Sequence, residues 1–242
     1  TLSQFSVMIV LLESFLESLT IILPYYPVGT MERVTEEGQV ATANTYARMF
    51  SNLPQCGRPT RLMIYDLHPL QNRFYMSGSV IASLCTTVPC VLPLLQQEGV
   101  NCVAFPDDGA AKRFKHMFEG FDIIICGKVR DGDERRVTIQ EGNARGKHVV
   151  IVDDLVQTGG TLFNAGKAIV TDGASSISAF VVHGVFPNSA WRRFTQGGDR
   201  HIFKNFWISD SIPTTTRELP TDDCFVVVPL LDKSIHDIDH FS

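Results

Sequence analysis

Short apolar runs recur along the chain, and segments with the helical spacing of apolar residues separate them. Such alternation predicts an α/β fold with a mainly parallel sheet flanked by helices. In sheets of this kind ligands bind beyond the carboxyl ends of the strands, so the residues that follow each strand are candidates for chemistry. The predicted strands are 20–24, 61–67, 100–105, 121–126, 148–154, 176–184 and 224–230, and the predicted helices are 40–52, 91–99, 109–118, 159–172 and 188–194.

The N-terminal segment VMIVLLESFLESLTIIL (7–23) is apolar enough to suggest a membrane span. Glu13 and Glu17 interrupt it on one helical face, so an amphipathic helix over 3–18 followed by a buried strand is the better interpretation. No basic segment precedes it, which argues against a signal peptide. Because Thr1 lies in the middle of this helical pattern, we expect the natural protein to begin further upstream.

Composition and charge narrow the class of protein. The chain has 242 residues, of which 44% are hydrophobic and 19% charged, as in a soluble globular protein. A net charge of −5 argues against a nucleic-acid binder or a membrane-surface binder, but residues 112–147 hold nine Lys/Arg against six Asp/Glu, which suits a small polyanionic ligand. The six cysteines lack zinc-ligand spacing and are interpreted as reduced core thiols of a cytoplasmic protein, with disulfides as the alternative.

The stretch HVVIVDDLVQTGGTLFNAG (148–166) carries the strongest chemical signal. Its strand ends in Asp153 and Asp154, and the loop 158–161 then leads into a helix. The glycines let backbone N–H groups point inward, and the threonine hydroxyls add donors, so the loop predicts a seat for a phosphate group. The carboxylates would repel that phosphate and fit sugar hydroxyls instead. Together they predict a phosphorylated-ribose site, whereas a capped glycine-rich turn would explain the glycines alone.

This string resembles the 5-phosphoribosyl 1-diphosphate (PRPP) loop of the type I phosphoribosyltransferase fold. Other strand ends resemble the ribose-phosphate pyrophosphokinase (PRPP synthetase) family, and the similarity runs over essentially the whole chain. These strand ends are YDLHPLQNRFY (65–75), AFPDDGAAKRF (104–114) and CGKVRDGDERR (126–136). The plant-like branch of the family is the most similar, in ERVTEEGQVATA (32–43), FPDDGAAKRF (105–114) and HGVFPNSAWRRF (183–194).

The resemblance implies two phosphoribosyltransferase-type units, each a mainly parallel sheet flanked by helices. The first unit is predicted over 1–77, with its start missing. The second, which contains the PRPP loop, is predicted over 78–228. Residues 229–242 are predicted to form a helix that packs back on the first unit.

The resemblance also assigns binding roles. His68 and Asp107 match the positions that hold Mg²⁺, and magnesium needs few protein ligands because waters and substrate phosphates supply the rest. Asp108 and Gly109 match the segment that binds the diphosphate of ATP. The ribose 5-phosphate site is assigned to Asp153, Asp154, Gln157, Thr158, Gly159, Gly160 and Thr161.

Lys128 and Arg130 match catalytic residues of the family. They are predicted to lie in a mobile polar loop that closes over the reacting phosphoryl group and stabilises its charge. A solvent-exposed basic turn is the alternative interpretation of the same residues.

The sequence differs from the family pattern mainly at the residues that bind the nucleotide. The family binds ATP there through an Arg-Gln pair and a later Arg. Here Thr30 and Met31 stand at the pair, and Arg33 alone remains as an ATP-binding candidate. Gln157 also replaces a frequent Asp of the PRPP loop.

The predicted enzyme transfers the diphosphoryl group of ATP to the 1-hydroxyl of ribose 5-phosphate for nucleotide biosynthesis. It gives PRPP and AMP with Mg²⁺ as cofactor and without a covalent nucleophile. One alternative is a PRPP-consuming phosphoribosyltransferase, which has no reason to contain the His68 and Lys128 motifs. Another is a non-catalytic regulatory homologue, which Thr30 and Met31 favour mildly. ATP and ribose 5-phosphate are the predicted partners, with no nucleic acid or membrane, and the resemblance implies a homo-oligomer built from dimers, with a hexamer as one form.

Overall fold

The computed structural model describes residues 2–31, 34, 36–68, 75–76, 78, 80–131 and 134–241. Its helices are α1 (Leu2–Glu13), α2 (Thr42–Ser51), α3 (Val88–Gln97), α4 (Asp108–Phe114), α5 (Gly160–Thr171), α6 (Pro213–Thr216) and α7 (Leu231–Phe241). Its strands are β1 (Thr20–Leu23), β2 (Thr60–Tyr65), β3 (Val80–Cys85), β4 (Cys102–Phe105), β5 (Asp122–Asp131), β6 (Glu134–Glu141), β7 (His148–Val156), β8 (Ser176–Gly184), β9 (Phe206–Ser209) and β10 (Phe225–Val228).

The chain divides into two compact units, Thr1–Thr86 with Leu231–Ser242, and Thr87–Leu230. The first unit extends past the predicted boundary at 77 because β3 pairs in parallel with β2. The C-terminal helix α7 belongs to this first unit, where the buried Tyr65 hydroxyl donates a hydrogen bond to Asp237 at 2.8 Å.

The first unit contains a three-stranded parallel sheet in the order β1-β2-β3. Leu62 and Ile64 of the central strand are fully buried, and they share a core cluster with Phe5 of α1 and Phe50 of α2. Both helices therefore use their apolar residues to cover this sheet.

The second unit contains a seven-stranded sheet in the order β10-β9-β8-β7-β4-β5-β6. Every neighbouring pair is parallel except β5 and β6, which form an antiparallel ribbon. Along β7, Val149 and Ile151 join the core cluster that contains Ile169 of α5. Val150 and Val152 point to the other face and join the cluster of α3 and α4. This alternation buries β7 on both faces, as expected for a central parallel strand.

The prediction of an α/β fold with mainly parallel sheets and flanking helices is confirmed. Several local predictions are wrong. Helix α1 ends at Glu13 rather than 18, and the predicted helix 188–194 is a 3₁₀ helix, Pro187–Phe194. Strands β3, β6 and β9 were not predicted.

Candidate active site

Strand β7 brings the predicted sugar-binding carboxylates to the carboxyl edge of the large sheet. Asp154 is buried and Asp153 is half-buried. The Asp153 carboxylate accepts a hydrogen bond from the Asp154 backbone N–H at 2.9 Å. The strand continues to Val156, so both acids lie within its last four residues.

The predicted phosphate loop follows this strand, and α5 begins inside the loop at Gly160. Gly159 has φ +70°, a left-handed conformation that favours glycine. A Cβ at Gly159 would also lie 2.3 Å from the Phe194 ring, so glycine is required for space as well. Gln157 and Thr158 are exposed, and Thr161 is half-buried in the first turn of the helix. The loop is therefore open to solvent on one side and fixed by an aromatic core on the other.

Asp154 forms a buried ion pair with Arg113 of α4. Nη1 of Arg113 lies 2.7 Å from Oδ2 of Asp154, and each side chain is 10% exposed. The guanidinium also lies over the Phe114 ring, 5.0 Å from its centroid. A charge-assisted contact of this kind orients the carboxylate at the end of β7.

Strand β4 ends next to these residues and leads into α4. The side chain of Asp107 caps this helix, since Oδ1 accepts the Ala110 backbone N–H at 3.0 Å. Asp107 is half-buried, whereas Asp108 and Gly109 are exposed in the first turn. The proposed metal ligand thus also has a structural role, because its backbone and one oxygen are fixed by the cap.

The predicted mobile loop that contains Lys128 is instead part of the β5–β6 ribbon. Lys128 pairs with Val137 and its side chain is exposed. The loop prediction was wrong because the charged residues at the start of β6 hide the alternation of apolar and polar residues that marks a strand. Arg130 pairs with Arg135 in the backbone register, but its side chain lies outside the described residues.

Strand register brings three of the predicted groups to one edge. Strand β4 lies between β7 and β5, with Ala104 opposite Ile151 on one side and Phe105 opposite Ile125 on the other. The two aspartates in the last residues of β7, Asp107 after β4 and Lys128 in the C-terminal half of β5 therefore all lie towards the carboxyl ends of three adjacent parallel strands. This edge is where ligands bind in open α/β sheets.

The remaining predicted residues belong to the first unit. His68 is exposed shortly after β2, and Asp66 between them is buried with φ +41°. The His68 carbonyl oxygen lies 2.5 Å from the position of a Cβ on Gly29, so the turn before Thr30 contacts the His68 backbone closely. Arg33 lies outside the described residues.

The sequence interpretation missed two arginines near the phosphate loop. Arg113 lies 41 positions from Asp154, and no local pattern joins them. Arg200 donates from Nη1 to the Thr158 carbonyl at 2.6 Å, 42 positions away. The only sequence signal for Arg200 is its place after the glycine pair of QGGDR (196–200).

Four cysteines, of which Cys85 is half-buried and the other three are buried, are not activated. Burial raises the pKa of Cys85, Cys102 and Cys126 to about 11, and that of Cys224 to about 12. Their thiols therefore stay protonated at neutral pH, and thiolates are the nucleophilic form.

Two other features are absent from the part of the chain that the structure describes. No group of three or more His, Cys, Asp or Glu residues there could hold a metal ion. None of the helices in those ranges is both long enough and apolar enough to span a membrane.

The fold and the residues at its strand ends define a phosphoribosyltransferase-type domain. Residues 106–211 match the family model of the phosphoribosyl transferase domain, and this range contains the phosphate loop, Asp107 and Lys128. A crystal structure of phosphoribosylpyrophosphate synthetase from Mycobacterium smegmatis has the same fold. It matches 100% of this chain and 78% of its own length with a TM-score of 0.75 at 20% sequence identity.

Curated relatives narrow the class to one family. Ribose-phosphate pyrophosphokinase 4 of Arabidopsis thaliana is 47% identical, covering 94% of this chain and 69% of its own length. The corresponding protein of Oryza sativa subsp. japonica is 46% identical, covering 94% and 72%. The chloroplastic ribose-phosphate pyrophosphokinase 3 of the same plant is 44% identical, and the match spans 57% of its length. This chain belongs to the ribose-phosphate pyrophosphokinase family.

Proposed function

We propose that this protein transfers the diphosphoryl group of ATP to the 1-hydroxyl of ribose 5-phosphate, giving PRPP and AMP. The observation that carries the proposal is the arrangement at one sheet edge. There the loop 158–161, the carboxylates of β7, Asp107 and Lys128 lie at or towards the carboxyl ends of three adjacent strands. This edge offers donors for a phosphate, acceptors for sugar hydroxyls and a cation for a transferring phosphoryl group. Family membership is consistent with that reaction.

Ribose 5-phosphate binding is assigned to the end of β7 and the start of α5. The loop 158–161 would donate to the 5-phosphate through backbone N–H groups and hydroxyls. Asp153 and Asp154 would accept from the ribose hydroxyls, and Gln157 lies at the exposed rim of the same loop. Held at both ends, the sugar would present its 1-hydroxyl in one orientation, which is the main requirement of phosphoryl transfer.

ATP binding and charge stabilisation are assigned to the segment after β4, to the β5–β6 ribbon and to Arg33. Asp108 and Gly109 would contact the diphosphate, and Arg33 would contact the nucleotide. The Lys128 side chain is exposed on the ribbon, and its charge would stabilise the phosphoryl group as negative charge develops. Arg130, two positions further on the same strand, is assigned the same role. None of these steps requires a covalent nucleophile.

Magnesium is the proposed cofactor, with Asp107 and His68 as its protein ligands. The Asp107 carboxylate, which also caps α4, supplies an oxygen ligand of the kind that a hard cation prefers, and such a cation keeps most of its waters. When bound with substrate, magnesium offsets the negative charge of the phosphate oxygens.

A labelling experiment tests this reaction. The full-length protein is incubated with Mg²⁺, ribose 5-phosphate and ATP labelled in the β-phosphorus. We expect the label in PRPP, together with an equal amount of AMP. Label in ADP or in free pyrophosphate would contradict the proposal in favour of ATP hydrolysis. Binding of ribose 5-phosphate without any AMP would favour the regulatory homologue, and nucleotide formation from PRPP and a free base would favour a phosphoribosyltransferase.

The assembly and location of the protein are proposed with the reaction. We propose a homo-oligomer built from dimers, up to a hexamer, which the mass from light scattering would test. A monomer at working concentration would contradict it. We also propose a cytoplasmic location. Relatives are named chloroplastic and mitochondrial, so the test is fractionation of the full-length protein, and recovery in either organelle would contradict it.

A further inference from the structure

Arg200 contacts the proposed phosphate loop from outside the segment that the sequence identified. Its Nη1 donates to the Thr158 carbonyl at 2.6 Å. The guanidinium lies over the Phe163 ring of α5, 5.5 Å from the centroid. Nη1 also lies 3.9 Å from the position that a Cβ on Gly160 would occupy. The side chain therefore spans the loop from its first residue to the first turn of the helix.

The bond to Thr158 affects which groups of the loop can face an anion. A loop binds phosphate through N–H groups, and a carbonyl oxygen that faced the same phosphate would repel it. Arg200 occupies the Thr158 carbonyl and so fixes its direction. A guanidinium has five N–H donors in a planar fork, and this bond uses one of them. The same group is thus suited to hold the loop and to donate to a phosphate.

Two arginines, Arg193 and Arg200, lie near the single carboxylate of Asp199, so positive charge is in excess around Arg200. Its pKa lies below the ordinary value because burial and the nearby Arg193 both disfavour the charged form, and Asp199 offsets them only in part. Asp199 is itself bound by Arg193, whose Nε donates to Oδ1 at 2.8 Å and whose Nη2 donates to Oδ2. An anion in the loop would supply the missing negative charge.

The segment before Arg200 holds its backbone in place. The Arg200 N–H donates to the Arg193 carbonyl at 2.7 Å. A Cβ on Gly198 would lie 2.3 Å from that same carbonyl oxygen, so the chain turns there in a way that leaves no space for a side chain. Residues 193–200 therefore form a compact turn that presents Arg200 to the loop.

We infer that Arg200 is a further binding residue of the ribose-phosphate site, which fixes the loop 158–161 and contributes a positive charge to the phosphate group of the ligand. The inference rests on the proposed function, because it assigns the ligand of this loop. It adds a residue from the distant turn 193–200 to the strand-end residues that the sequence predicted.

The test measures binding rather than turnover. The affinities of the full-length protein for ribose 5-phosphate and for inorganic phosphate are determined by calorimetry at several salt concentrations, for Arg200→Gln and Arg200→Lys. We expect Arg200→Gln to weaken both ligands by about 10- to 100-fold and to reduce the salt dependence of binding, because a charged hydrogen bond is lost. Arg200→Lys keeps the charge and should recover part of the affinity.

Arg192→Gln is the matched control. Arg192 is exposed on the same 3₁₀ helix as Arg193, and its guanidinium lies over the Trp191 ring. The substitution therefore removes one positive charge, as Arg200→Gln does, but at a residue that does not contact the loop. Its affinities should stay within about twofold of the wild type. Wild-type affinity or an unchanged salt dependence in Arg200→Gln would overturn the inference, as would an equal loss in Arg192→Gln.

A second variant distinguishes failure of this inference from failure of the proposed function. Asp153→Asn should weaken ribose 5-phosphate but leave inorganic phosphate binding unchanged, since its assigned contact is to the sugar. If the wild type binds both ligands and Arg200→Gln weakens both, the inference holds even where no AMP is formed. If AMP is formed and Arg200→Gln binds normally, the inference fails while the proposed function stands.

Discussion

The Arg113 guanidinium and the Asp154 carboxylate form an ion pair at 2.7 Å with both side chains 10% exposed. Removal of one partner from such a pair leaves a buried charge without compensation. We expect Arg113→Met to lower the free energy of unfolding by about 3–5 kcal/mol, as measured by urea denaturation.

The exposed pair of Lys115 and Glu141 provides a control. Its Nζ–Oε1 distance is 3.1 Å, but the side chains are 46% and 57% exposed. Lys115→Met should therefore cost about 0–1 kcal/mol. Adding Asp154→Asn to Arg113→Met should recover part of the lost stability, because the unpaired charge disappears. Equal losses in Arg113→Met and Lys115→Met would contradict this account of the ion pair.

Lys128 is the residue on which the proposed chemistry depends most. If it stabilises the transferring phosphoryl group, Lys128→Ala should lower kcat by about 10²–10³-fold and change substrate affinity little. The measurement is the steady-state rate of AMP formation. Lys147→Ala is the control, because Lys147 precedes β7 at the opposite edge of the sheet and pairs there with Asp122 at 2.9 Å. A rate close to wild type in Lys128→Ala would exclude the assigned role.

Gly159 combines a backbone requirement with a space requirement. Gly159→Ala places a Cβ 2.3 Å from the Phe194 ring at φ +70°. Gly146 has a similar φ of +72° with nothing within 4 Å of the added carbon. Gly146→Ala should thus lower the free energy of unfolding only by the backbone strain, about 1–2 kcal/mol. Gly159→Ala should lower it by more, and should also weaken ribose 5-phosphate binding. Denaturation of the two variants side by side measures the difference, and equal losses would show that the contact with Phe194 is relaxed without cost.

The strand ends could be predicted from the sequence because buried parallel strands leave long apolar runs. The run before Asp153 is one, and the run before Asp107 is another, so the place of both carboxylates followed from local pattern alone. Strand β9 (Phe206–Ser209) was not predicted, although β1, β4 and β10 have the same length. Strand β6 does alternate over VTIQ (137–140), but its charged start was interpreted as a loop.

The parts of the site that depend on distant contacts could not be predicted in this way. Arg113 and Arg200 lie on other elements, and each reaches the end of β7 only through tertiary packing. An arginine in a polar segment is usually solvent-exposed, so residue type alone gave no reason to select either one.

His148 predicts a pH response of stability. Burial and the charge of Lys204 lower its pKa below 6.5, and its Nε2 lies 3.0 Å from the Ser178 hydroxyl. The unfolded chain therefore takes up a proton at higher pH than the folded one. The stabilisation is present above 6.5 and is lost as the pH falls from there towards the folded-state pKa.

The pH response is measured as the urea midpoint between about pH 7.5 and about pH 5.5. Glu98, Asp223 and Asp237 have pKa values below their ordinary ones, so they stay ionised in this window. As the pH falls across this window, we expect the urea midpoint of the wild type to decrease and that of His148→Gln to decrease less. The same slope in both proteins would assign the response to another group.

Asp107 has two proposed roles, and two substitutions separate them. As a helix cap, its Oδ1 accepts the Ala110 N–H at 3.0 Å, and asparagine caps a helix about as well as aspartate. Asp107→Asn should therefore keep the stability of the protein, whereas Asp107→Ala should lose about 0.5–2 kcal/mol. As a magnesium ligand the carboxylate supplies charge that an amide lacks, so both substitutions should raise the Mg²⁺ concentration for half-maximal activity by about tenfold or more.

The outcome for Asp107→Asn decides between these roles. Asp172→Asn is its control, because Asp172 also accepts a backbone N–H, from Ala144 at 2.7 Å, but lies at the end of α5 away from the strand ends. That variant should keep both its stability and its magnesium requirement. If Asp107→Asn likewise keeps the wild-type magnesium requirement, then Asp107 is only a cap, and the cation must take its protein oxygen from another residue.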